Sequence, residues 1–148
     1  MSINTPEELE GLRAAGMLVR RVLQAMRKQV SPGVTTAELD ALGGEVIRAH
    51  GARSAPRLVY GFPGENCISL NEEAAHGIPG ERSLKGGDLV KLDVTVEKDG
   101  FMAGAAVTVA VGNVSAEKHR LLSERNAPSP KLCWSLVLAF GYPGSAGW

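Results

Sequence analysis

The chain of 148 residues carries 16 basic and 16 acidic side chains, so its formal net charge is zero, and nothing in that balance favours nucleic acid or an anionic membrane. With 44% hydrophobic and 22% charged residues it has the make-up of a globular protein long enough for one domain with a real core. The start MSINTPEELEGL has no basic stretch followed by an apolar one, no window holds about 18 apolar residues in a row, and the two cysteines, Cys67 and Cys133, form no CxxC pair. From these features the expectation is no secretory leader, no membrane span, no zinc knuckle and no disulfide framework, with the cytosol as the expected compartment.

In chain order, Thr5-Pro6-Glu7-Glu8 reads as a helix start, with Thr5 as the cap and Glu8 closing a capping box. Leu9, Leu12, Val19, Val22, Leu23, Met26 and Val30 follow at helical spacing. The basic residues Arg13, Arg20, Arg21, Arg27 and Lys28 fit its solvated side. Ser31-Pro32-Gly33 ends that helix. A second begins at Thr35 or Thr36, with Glu38 in another capping box, a stripe of Leu39, Leu42, Val46 and Ile47, and Gly51 suited to the C-terminal cap. Beyond Gly51 the pattern predicts short strands over residues 57–60 and 67–70 and a long one over 88–97. In that long strand Val90, Leu92, Val94 and Val96 alternate with Lys91, Asp93, Thr95 and Glu97. Lys98-Asp99-Gly100 is a hairpin turn, and residues 101–111 return as the antiparallel partner. A further helix opens at residue 116 with Ser115 as its cap. Helices followed by strands, without regular alternation, predict an α+β fold.

Asp93 stands out on an apolar strand, where a carboxylate is costly unless a cation meets it; pairing with Lys91 or Thr95 on a solvated face is the plain alternative. His76 beside Gly77, taken without its flanking motif, reads as a loop histidine held by backbone or water. Phe62 and Cys67, taken by composition, are ordinary core residues.

The segment YGFPGENCISLNEEAAHGIP, then GDLVKLDVT, the Asp-Gly turn and TVAVG, with SPGVTTAELD upstream, resembles the amino-terminal part of a type I methionine aminopeptidase. The likeness runs from about residue 5 to residue 122. It implies a pita-bread fold, two similar α+β halves enclosing two divalent metal ions (Co, Mn, Fe or Zn) bound by two Asp, one His and two Glu. The implied activity is removal of the initiator Met from nascent peptides in the cytoplasm, close to the ribosome, with no DNA or membrane partner. By the same resemblance Asp93 holds a metal, and His76 hydrogen-bonds the substrate amide in catalysis. Phe62 and Cys67 line the methionine pocket, and the backbone at Asn71 helps hold a monovalent cation.

The sequence departs from the pattern in two places. The second Asp position, eleven residues after Asp93, is Gly104, which supplies no ligand; His119 and Glu117 are better read as solvated than as substitutes. The other three ligands belong to the family's carboxy-terminal half, for which residues 123–148 offer no counterpart; that tail has the unrelated character a frameshift produces. The expectation is therefore a first domain half, 1–122, a divergent tail, 123–148, and little or no aminopeptidase activity. Three other readings remain: a non-catalytic pita-bread relative acting as a binding module, a degraded gene product that does not fold stably because half a two-lobed core leaves a large apolar face uncovered, and a proline-specific aminopeptidase of the same fold.

Overall fold

The structure, a computed structural model, describes residues 3–126 of the chain. Both expected capping boxes form. In α1 (Pro6–Gln29) the Glu8 amide donates to Thr5 Oγ1 at 3.2 Å and the Glu8 carboxylate accepts from the Thr5 amide. In α2 (Thr36–Ala49) Thr35 and Glu38 repeat the exchange. Each box satisfies amides that a helix start otherwise leaves without partners. Helix α1 buries Ala15, Leu18, Val19, Val22 and Met26, whereas Leu9, counted in the expected stripe, stays 38% exposed. Helix α2 buries Leu39 and Ile47 and closes at His50, after which Gly51 takes φ +65°, the left-handed conformation that ends helices.

Residues 57–60 are not a strand. After the two-residue β1 (Arg53–Ser54) they form α3 (Ala55–Tyr60). Ser54 caps it, its hydroxyl accepting from the Arg57 amide, and Pro56 sits in the first turn, where a missing N–H costs nothing. Gly61 ends it at φ +67°. Arg57, Leu58, Val59 and Tyr60 are all exposed, so no buried face recruits this run into the sheet.

Strands β2 (Cys67–Leu70), β3 (Leu89–Lys98) and β4 (Phe101–Ala110) complete an antiparallel sheet with β1. Central β3 pairs with β4 along its whole length on one edge, and with β2 and β1 in succession on the other. Asp99 (φ 51°) and Gly100 (φ 87°) make the two-residue turn, both in the positive-φ region this tight hairpin requires. Glu97, nearly buried, accepts from the Gly100 amide and from Arg53 Nε, each at 2.8 Å, and so ties the turn to β1.

The alternation in β3 divides the sheet into two faces. Val90, Leu92, Val94 and Val96 are fully buried against α1 with Ile68, Leu70 and Ala103; burying side chains of this size contributes about 1.5–3 kcal/mol each. Lys91, Asp93 and Thr95 point to the other, half-exposed face. The helix expected from residue 116 is α4 (Ala116–Asn126), with the Lys118 amide donating to Ser115 Oγ. Among the described residues no helix is long and apolar enough to cross a membrane. Cys133 and the rest of the tail from residue 127 lie outside the described residues.

Candidate functional site

Asp93 lies in the middle of β3 on the half-exposed face, opposite Cys67 on β2 and Ala106 on β4. Opposite residues of an antiparallel pair share a face, so Cys67, Asp93 and Ala106 form one row. The next row is Thr95 with Gly104. A Cβ built at Gly104 would stand 2.6 Å from Thr95 Oγ1, which puts a side chain at position 104 on the same face and diagonal to Asp93. A side chain at position 104 would share that face with Asp93 only with Thr95 turned aside, and as glycine the position presents no donor atom there.

The surroundings of Asp93 are electrostatically unbalanced. Burial lifts its carboxyl above the ordinary range, with Lys91 and then His76 drawing it partly back. It makes no ion pair with Lys91, whose Nζ donates to the Ala74 carbonyl at 2.7 Å. Cys67 is 4% exposed, and its thiol is pushed up to about 11, by burial first and by Asp93 and Asp40 after it. At neutral pH it is a protonated, soft, apolar group and not a nucleophile. The Tyr60 side chain is largely exposed, but partial desolvation, then Cys67 and Asp93, raise its phenol. Tyr60 meets Phe62 edge to face, with ring centroids 6.3 Å apart. The structure thus brings Tyr60, Phe62, Cys67 and His76 into the neighbourhood of Asp93.

His76 is exposed at φ 57°, a positive value in a residue other than glycine. Its loop is pinned by the next residue. Gly77 accepts from the Ile68 amide at 2.9 Å and donates to Ser69 Oγ at 3.1 Å. A Cβ at Gly77 would stand 2.1 Å from the Ile68 carbonyl oxygen, so only glycine permits this approach. Glu73 braces the same loop, its carboxylate accepting from Arg82 and from the Leu70 amide. Those bonds hold it below its usual range, Arg82 contributing most.

Asn71, at φ 51°, is committed to structure through its side chain: Nδ2 donates to Asp88 at 2.9 Å, and Oδ1 accepts from the Leu89 amide and Lys118 Nζ. Beside it a cavity of about 590 Å³ runs over the face between Ser69, Lys91, Thr108 and the α4 residues Leu121 and Leu122, and neither Asp93 nor His76 lines it. Glu117 and His119 are exposed on α4. One positioning residue escaped the sequence reading. The Asp40 carboxylate on α2 accepts from the amides of Glu65 (2.9 Å) and Asn66 (2.7 Å) and from Asn66 Nδ2 (3.0 Å), which fixes the entry to β2 and so Cys67. SPGVTTAELD contains it, but as a helix start it gave no hint of a partner 25 residues away.

The family description Metallopeptidase family M24 matches residues 10–125. The chain belongs to metallopeptidase family M24. Among its relatives in this family, the methionine aminopeptidase of Staphylococcus epidermidis is 45% identical over 76% of this chain and 45% of its own length. Methionine aminopeptidase 2 of Bacillus subtilis is 40% identical over 82% and 49%. The crystal structure of the Rickettsia prowazekii methionine aminopeptidase superposes with a TM-score of 0.79 at 37% identity, covering 83% of this chain and 50% of that one. The Pyrococcus furiosus prolidase, at 17% identity and a TM-score of 0.66, shares the fold alone. The chain thus has the pita-bread fold of these family members and spans about half the length of the curated relatives it matches.

Membership of a metallopeptidase family implies divalent metal ions, and the donor set tests the fit. Among the described residues no three His, Cys, Asp or Glu side chains come together to hold a metal ion. Residues 127–148 contain no Asp, Glu or His at all. A pair of hard divalent ions needs several carboxylate and imidazole donors. The described residues present Asp93 with no such donor set around it, so they do not fit a two-metal centre.

Proposed function

We propose that this chain is the amino-terminal, metal-facing half of a methionine-aminopeptidase-type fold, and that these 148 residues by themselves have little or no aminopeptidase activity. The observation that carries this reading is Gly104. It occupies the position diagonal to Asp93 where a second carboxylate would share the face, and glycine has no donor atom. The activity of the lineage is removal of the initiator Met from nascent peptides in the cytoplasm near the ribosome, using two ions of Co, Mn, Fe or Zn. In it Asp93 has the place of a metal ligand and His76 that of the hydrogen-bond donor to the substrate amide. Phe62 and Cys67 have the place of the methionine pocket; an aromatic ring and a protonated sulfur both suit a thioether. Asn71 has the place of the monovalent-cation site. The division into a domain half, 1–122, and a divergent tail, 123–148, belongs to the same reading.

Identities of 37–45% to methionine aminopeptidases, against 17% to a prolidase, favour the methionine-specific lineage over the proline-specific one. The test is hydrolysis of a Met-Ala-Ser peptide by the purified chain with manganese or cobalt added, beside a Gly104→Asp variant. No turnover by the unmodified chain is expected. Turnover by it would mean that donors outside this set complete the centre, and the inactivity reading would fall. Peptide binding without turnover would favour the binding-module reading.

A further inference from the structure

Ser69 and Lys91 face each other across β2 and β3 in the row next to Cys67–Asp93, on the same face of the sheet. Along the strands the two rows are roughly 7 Å apart. Both members of the Ser69–Lys91 row turn their polar atoms to the loop that carries His76. The buried Ser69 accepts through Oγ from the Gly77 amide at 3.1 Å, and Lys91 Nζ donates to the Ala74 carbonyl at 2.7 Å. The two contacts bracket His76, one just after it in the chain and the other just before Ala75. On the Gly77 side the hold is doubled, since the Gly77 carbonyl also accepts from the Ile68 amide. Residues Ala74, Ala75 and His76 are exposed, and alanine side chains offer no hydrogen bond of their own. Among the described residues the Lys91 ammonium makes the one hydrogen bond to residues 74–76.

We propose that Lys91 is a positioning residue: with Ser69 it clamps the His76 loop to the row beside Asp93, and so sets where the imidazole stands relative to that carboxylate. The proposal rests on the reading of His76 and Asp93 as substrate donor and metal ligand, and adds to it a residue that touches neither substrate nor metal. A lysine suits the task. Its long stem spans from strand to loop, and a hydrogen bond from an ammonium to a carbonyl is stronger than one between neutral groups. The clamp also explains why the Lys91 ammonium makes no ion pair with Asp93 although both stand on one face of β3: it is held at Ala74. The loop so placed is felt at the carboxylate, where His76 follows burial and Lys91 among the influences on Asp93. Every contact of the clamp lies within residues 68–91, so it depends on no open face or edge.

The test compares the full chain with Lys91→Met, which keeps the stem and loses the donor, and with Lys91→Arg, which keeps a cationic donor. Amide exchange, backbone relaxation and the His76 ring signals are followed by NMR at one fixed pH, with the rings of His50 and His119 as references. In Lys91→Met the Gly77 amide should exchange about tenfold faster or more, while the Val94 and Val96 amides of β3 keep the parent's rates. Lys91→Arg should hold Gly77 within about threefold of the parent. Asp93→Asn should shift the His76 ring signals in the parent and in Lys91→Arg, and by less than about half as much in Lys91→Met. Unchanged Gly77 exchange in Lys91→Met overturns the proposal. So does equal acceleration throughout β3, which would make Lys91 a general support of the sheet, or a Lys91→Arg chain that behaves like Lys91→Met. The unmodified chain decides the matter even where a variant fails to fold: Ala75 and His76 should be as ordered as β3, and order parameters below about 0.6 there would refute the clamp. These measurements involve neither peptide nor metal ion. The clamp can therefore fail while the reading of His76 stands, and the Met-Ala-Ser assay can overturn that reading while the clamp holds.

Discussion

Gly77→Ala is the sharpest structural perturbation of the candidate site. The added Cβ would lie 2.1 Å from the Ile68 carbonyl oxygen, 2.7 Å from its carbon and 2.8 Å from the Ser69 Cα, all backbone atoms of a strand locked in the sheet. The loop must therefore retreat by roughly 1 Å, which stretches both pinning bonds, now 2.9 and 3.1 Å, beyond useful length. Each such bond contributes about 0.5–1.5 kcal/mol, and leaving the buried Ser69 hydroxyl without its donor costs about as much again, for an expected loss of roughly 2–4 kcal/mol. Urea unfolding followed by circular dichroism measures it. Gly16→Ala serves as the control: nothing lies within 4 Å of its Cβ position in mid-α1, so it should stabilise the chain by about 0.5–1 kcal/mol. A Gly77→Ala chain within about 0.5 kcal/mol of the parent, the ordinary range of a neutral surface change, would refute the claim that this contact pins the loop carrying His76.

Two charge substitutions should move stability in opposite directions. Burial disfavours the Glu97 carboxylate, but the Arg53 side chain and the Gly100 amide hold it below its ordinary value of 4.5. Its contribution is therefore complete above pH 4.5 and lost as pH falls through the lower folded value. Glu97→Gln should cost about 1 kcal/mol at pH 7 and flatten the acid limb of the stability profile, read by thermal melts across pH. Asp93 behaves oppositely. Burial raises it from 3.8, so its ionisation removes stability as pH rises from 3.8 through the folded value. Asp93→Asn should therefore raise stability at pH 7 by roughly 1 kcal/mol, and a melt that falls or stays level would show the carboxylate to be satisfied after all.

Local chemistry made much of the fold legible. Thr5/Glu8 and Thr35/Glu38 announce their helices because capping is settled within four residues, and β3 declares itself because alternate burial leaves a period of two. Asp99-Gly100 is equally local. The run RLVY misled because its apolar residues suggest a strand, while Ser54 and Pro56 just before it set a helical turn and no partner strand demands the segment. What escaped altogether depends on residues far apart in sequence. Asp40 reaches the amides of Glu65 and Asn66, and Glu73 is braced by Arg82. Gly77 needs its missing Cβ because of Ile68. The site was legible in part: the face shared by Cys67, Asp93 and Gly104 follows from strand alternation once the hairpin register is known.

The central claim is that Gly104 leaves Asp93 without the companion carboxylate a two-metal centre requires. Calorimetric titration of the chain and of Gly104→Asp with manganese tests it most directly. The account predicts binding to the unmodified chain no tighter than about millimolar, and at least about tenfold tighter binding once a second carboxylate joins Asp93. Two manganese ions bound to the unmodified chain at micromolar concentration would contradict it.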